Sequence, residues 1–137
     1  MYHADDGERF ERACGHIFVD IYDYFAQKGS LIRDQDDTVY VLGIADQLLS
    51  LLEAIREGHK QEWIQEQLDK YISPNVALNS LFRSIVEKHK LKYELRVFEC
   101  PNCTRLFIES NPGSSDFCCY RSEDKDSFPI LRSNRLS

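Results

Sequence analysis

Four of the five cysteines fall within twenty residues: Cys100-Pro101-Asn102-Cys103, then fourteen intervening residues, then Cys118-Cys119. Two cysteines separated by two residues can turn both thiolates toward one ion, and a second sulfur pair from a neighbouring hairpin would complete the tetrahedral shell that Zn²⁺ favours. With Cys100, Cys103, Cys118 and Cys119 as ligands the ion would keep no open position, so the zinc is expected to be structural rather than catalytic. Adjacent residues on a regular strand point to opposite faces, so Cys118 and Cys119 can share an ion only where a bulge or turn breaks that alternation. The histidine best placed to substitute as a ligand is His89, just before the first expected strand, with His16 and His59 less constrained. As a redox pair the same Cys-x-x-Cys would want a helix N-terminus to activate its thiolate. Here it sits between two expected strands, which disfavours an enzyme of that kind.

The segment from about Leu95 to Tyr120 resembles a zinc ribbon with a rubredoxin-type knuckle. Members of that class commonly carry Pro after the first Cys of the knuckle, as Pro101 does here, and Gly after the second, where this chain has Thr104. The second pair, Cys118-Cys119, lacks the two intervening residues of the class. The resemblance implies a small β module holding structural zinc between two cysteine pairs, of a kind frequent in transcription and translation machinery.

Other chemistry-bearing groups are read as ordinary surface or core. His16, Asp20 and Asp23 are spaced to share one helix face, as are His59, Glu62 and Glu66, and polar residues opposite an apolar stripe are mostly a solvated face. Cys14 falls on an apolar stripe and packs as a small hydrophobe. No Gly-rich phosphate loop, nucleophile elbow or His-Glu-x-x-His motif is present, and no catalytic residue is assigned. Arg96, Arg105 and Arg121 lie on the expected strands among Tyr93, Phe98, Phe107 and Tyr120, the mixture a nucleic-acid-reading surface uses. A net charge of −6 disfavours phosphate-backbone binding and suits a basic protein partner better.

The elements that must position these groups follow from periodicity. Phe10, Cys14, Ile17, Phe18, Ile21 and Phe25 recur at helical steps and predict a first helix ended by Gly29. Asp36-Asp37 opens a second, with Tyr40, Ile44, Leu48, Leu51, Leu52 and Ile55 on its apolar stripe and Gly58 as its stop. Trp63, Ile64, Leu68, Tyr71 and Ile72 predict a third, closing at Ser73-Pro74, and Val76 to Val86 a fourth that runs to about Lys90. Gly15 and Gly43 lie inside expected helices, where glycine costs about 1 kcal/mol relative to Ala, and so mark close packing. From Tyr93 the period changes to two, predicting strands near 93–98, 105–109 and 116–120, with Asn111 to Ser115 as a turn. The expected fold is therefore mainly α with a small β module. A four-helix bundle-like part over 1–92 is followed by a three-stranded zinc ribbon over 93–121 and a polar tail over 122–137, whose Phe128-Pro129-Ile130-Leu131 could dock on the body or on another chain.

At 137 residues, 42% hydrophobic and 29% charged, the composition is that of an ordinary globular protein. The acidity belongs to the expected helices: residues 1–92 hold 11 Lys and Arg against 16 Asp and Glu. No segment reaches ~20 consecutive apolar residues, so a cytosolic protein with no membrane contact is expected, in a compartment where clustered thiols serve as ligands. Its expected role is a protein-interaction module, an adaptor, regulator or inhibitor. Acidic helical immunity proteins offer a likeness of composition, and a nucleic-acid-associated ribbon is the alternative.

Overall fold

The computed structural model describes residues 2–3, 9–11, 17–19, 27–73, 75–124 and 129–132. The chain divides into two compact units, Arg33–Tyr93, and Met1–Ile32 together with Glu94–Ser137.

The first unit is helical, with α1 over Asp34–Arg56, α2 over Lys60–Gln67 and α3 over Leu78–Tyr93. Asp34, Asp36 and Asp37 occupy the first turn of α1, where negative charge complements the helix dipole. Gly58 ends it from the left-handed region, at φ 80°. The His59 N–H donates to the Ala54 carbonyl and the Gly58 N–H to the Ile55 carbonyl, a Schellman cap that glycine makes cheap. Leu51, Ala54, Trp63, Ile64, Leu81 and Ile85 form the buried core, flanked by Ile44, Leu48, Ile55 and Phe82. The Trp63 indole N–H finds the Ser50 hydroxyl at 2.8 Å, so burying its ring leaves no unsatisfied donor.

The second unit is built on an antiparallel sheet. Four strands, β7 (Asp116–Tyr120), β6 (Leu106–Glu109), β5 (Glu94–Glu99) and β4 (Lys28–Ile32), lie in that order, and the two-residue β1 (Tyr2–His3) extends the β7 edge. A separate two-stranded sheet pairs β2 (Arg9–Glu11) with β3 (Ile17–Val19), Phe10 opposite Phe18. Phe98, Phe107 and Phe117 are the buried aromatic core of the large sheet, together with Cys100. The rings of Phe98 and Phe117 meet edge to face at 5.6 Å. The tail segment docks on this unit: the buried carboxylate of Glu99 accepts the N–H of Ile130 at 2.8 Å and that of Leu131 at 3.1 Å, and the Leu131 side chain lies over Gly29.

The fold differs from a four-helix bundle followed by a three-stranded ribbon. The described residues hold three helices, and strands stand at Arg9–Glu11, Ile17–Val19 and Lys28–Ile32 where a first helix and its stop were expected. The cause is legible in Ile17-Phe18-Val19: a short apolar run rich in β-branched and aromatic residues satisfies a helical stripe and a buried strand equally well, and periodicity cannot separate them. Gly29 is a strand residue opposite Val97, and any side chain there would press on Leu131. Further along, α2 ends at Gln67 and not near Ile72, and α3 begins at Leu78.

Candidate functional site

Two features of the described structure are candidates for chemistry or recognition, and each is built within one unit.

The first is the turn joining β5 to β6. The Cys100 N–H donates to the Arg105 carbonyl at 2.9 Å and the Thr104 N–H to the Cys100 carbonyl at 3.1 Å, closing a tight loop. Inside it, the N–H groups of Asn102 and Cys103 both point at the Cys100 sulfur, at 3.3 and 3.1 Å. The Cys100 sulfur thus accepts from two backbone N–H groups. Thr104 holds φ 65°, the left-handed conformation glycine adopts freely, so the Gly-to-Thr departure from the ribbon pattern falls on a strained position. Cys100 is buried and Cys103 packs against the same aromatic cluster. A tetrahedral zinc site would need two further ligands beside these two sulfurs.

The second sulfur pair is arranged differently. Strand β7 runs in regular register with β6, Cys119 opposite Phe107 and Cys118 opposite Ile108. Residues opposite one another share a face, so Cys119 lies on the face of Phe98 and Phe107 and Cys118 on the face of Val97 and Ile108. No bulge joins them. Cys119 stands on β7, with β6 between it and β5. Among the described residues, no group of three or more His, Cys, Asp or Glu side chains is placed to hold a metal ion. His89 belongs to the helical unit, where its Nε2 meets the Gln47 carboxamide oxygen at 2.8 Å and its ring stacks over Gly43. Burial, then the charges of Lys88 and Lys92, hold that imidazole below its usual value of 6.5.

The residues expected to form a nucleic-acid surface have different surroundings. Arg96 is committed to Glu109: its guanidinium donates to the buried carboxylate at 2.8 Å, and its backbone N–H adds a second contact at 3.1 Å. Burial alone would raise the Glu109 carboxyl, but the bonds from Arg96 and from the Ser115 N–H outweigh it and hold the group below its ordinary 4.5. Phe98 and Phe107 are core. Tyr93 ends α3 and meets Tyr40 edge-on at 6.2 Å, while Arg105 is half-buried and Arg121 exposed. His59, Glu62 and Glu66 stand exposed on the helical unit. Cys14, Gly15, His16, Asp20 and Asp23 lie outside the described residues.

The second candidate feature was not singled out from the sequence. Helix α1 buries Leu51 completely on its inner face, yet its outer face carries Val39, Leu42, Leu49 and Leu52, each about half exposed, Leu42 at 55% and Leu49 at 57%. Leu42, Ala45, Leu49 and Leu52 follow one another at steps of three, four and three residues, a continuous seam along one side of the helix. The available signal was the run Val39 to Leu52 itself, which is too apolar all round for a helix with one solvated face.

No family model, curated protein or solved structure matches this chain.

Proposed function

We propose that this chain is a small cytoplasmic interaction protein, an adaptor, regulator or inhibitor. On this reading it docks a protein partner on the outer face of α1 and braces its sheet unit with a structural zinc held by Cys100 and Cys103 together with two further ligands that the described residues do not supply. The observation that carries the reading is that α1 is apolar on opposite faces while, among the described residues, only the inner one is covered. A helix that is hydrophobic all round is ordinarily buried all round, and an exposed apolar stripe of this length marks an interaction surface.

The test is affinity capture from the protein's own cell type, comparing wild type with Leu42→Asp/Leu49→Asp. Partners recovered by wild type and lost by the folded variant are the expected result. An unchanged set of recovered proteins would remove the reading. The metal part has its own measurement. Elemental analysis of protein purified without a metal-affinity tag is expected to find zinc that disappears in Cys100→Ser and Cys103→Ser. It should persist in Cys118→Ser, whose thiol faces away from the knuckle. Metal-free folded wild type would remove zinc from the proposal.

A further inference from the structure

Resting on that reading, we infer that the occupant of the outer α1 face is a basic amphipathic helix of the partner protein. The shape argument is the seam. Leu42, Ala45, Leu49 and Leu52 present the alternating three- and four-residue steps that a second helix packs against with its own apolar ridge, and from Leu42 to Leu52 the seam offers a track of about 15 Å. The charge argument selects the partner's flanks. Helix α1 carries Asp34, Asp36, Asp37, Asp46 and Glu53 against Arg56 alone. By helical rotation of 100° per residue, Asp46 and Glu53 fall along one border of the seam and Asp34 lies in line with its N-terminal end, with Asp37 to one side, while Asp36 turns to the opposite face beside Arg33. A partner helix with apolar residues at heptad spacing and Lys or Arg beside them would meet complementary charge along one border of the seam and at its N-terminal end.

Two other occupants fit less well. A second copy of this chain would set five acidic groups and one basic against the same complement, and like charges in register oppose association. By length and composition α1 could cross a membrane. A bilayer would, however, take Asp46 and Glu53 into hydrocarbon, and would strip Leu51 and Ala54 from the core they share with Trp63, Ile64, Leu81 and Ile85.

The probe is a fluorescent synthetic peptide of about three heptads, Leu at the seam positions and Lys at most others, compared with the same peptide carrying Glu for Lys. Anisotropy titrations of the full chain are expected to show the Lys peptide binding at least ~10-fold tighter than the Glu peptide, and weakening as salt rises. Leu42→Asp/Leu49→Asp should weaken Lys-peptide binding by ~10-fold or more. Asp46→Lys/Glu53→Lys should shrink or reverse the preference between peptides, and far-ultraviolet circular dichroism confirms that each variant is folded. Equal affinity for both peptides, or no binding of either, overturns the inference. So does a dimer in sedimentation, or capture by phosphatidylcholine vesicles, that depends on Leu42 and Leu49. Should the peptides fail while cellular capture still depends on Leu42 and Leu49, the docking face stands and its occupant is of another chemistry. Should capture ignore both leucines, the docking face itself falls.

Discussion

Thr104 shows how a single position can carry both a resemblance and a departure from it. A β-branched residue at φ 65° costs on the order of 1–2 kcal/mol relative to a residue without a Cβ. Thr104→Gly is therefore expected to stabilise the sheet unit by about 1 kcal/mol, read from denaturant unfolding; a destabilised variant would mean that the Thr side chain makes a contact outweighing its strain. Glu109 makes the opposite kind of statement. Its folded value is held below 4.5, so the stability it contributes is complete above that pH and is lost as pH falls through the folded value. Wild type should lose stability on acidification from about pH 4.5 downward, and Glu109→Gln should lose much of that dependence while being less stable at neutral pH by roughly 1–3 kcal/mol. Unfolding curves at pH 7 and at successively lower pH check both signs. The turn between β5 and β6 was legible from the break in alternation at Cys100-Pro101. Glu109 was not, because nothing in a sequence pairs an Arg with a carboxylate thirteen positions away.

At the scale of elements, packing around Gly43 was readable and its partner was not. A Cβ at position 43 would stand 2.9 Å from two atoms of the His89 ring, so α1 and α3 meet where the glycine permits it. Two magnitudes compete in Gly43→Ala: about 1 kcal/mol gained in helix propensity and about 1–3 kcal/mol of overpacking if the imidazole cannot yield. Since yielding would also cost the bond to Gln47, overpacking should win and the variant should be less stable. In a His89→Ala background the sign should reverse, and a double-mutant cycle by equilibrium unfolding reads the coupling directly. The helices of the Arg33–Tyr93 unit were legible because long stripes, an acidic first turn and a glycine stop agree with one another. The strands before residue 33 were not. Each is five residues or fewer, and β4 is held by its pairing with β5, a long-range interaction that local pattern does not encode. The regular register of β7 was foreseeable as the condition that separates Cys118 from Cys119, and it is the condition the chain meets.

For the whole molecule, the two units divide the chemistry. The sheet unit holds the cysteine turn, the pairing of half-buried Arg96 with buried Glu109 and the docked tail, all features that fix a structure. The helical unit spends one face of α1 on its core and leaves the other available, which is why recognition is assigned there. A charge of −6 pointed toward a basic partner without locating the surface. The proposed location rests on burial, which separates the inner stripe of α1 from the outer one, a distinction an all-apolar run conceals. The most direct measurement is the equilibrium stability of Leu42→Asp/Leu49→Asp against wild type. If the outer face of α1 is a free docking surface, the two charges should cost no more than about 1 kcal/mol together, as exposed substitutions do, while partner capture is lost. A loss of several kcal/mol, the signature of charge forced into a core, would show that the chain covers this face itself and would contradict the account.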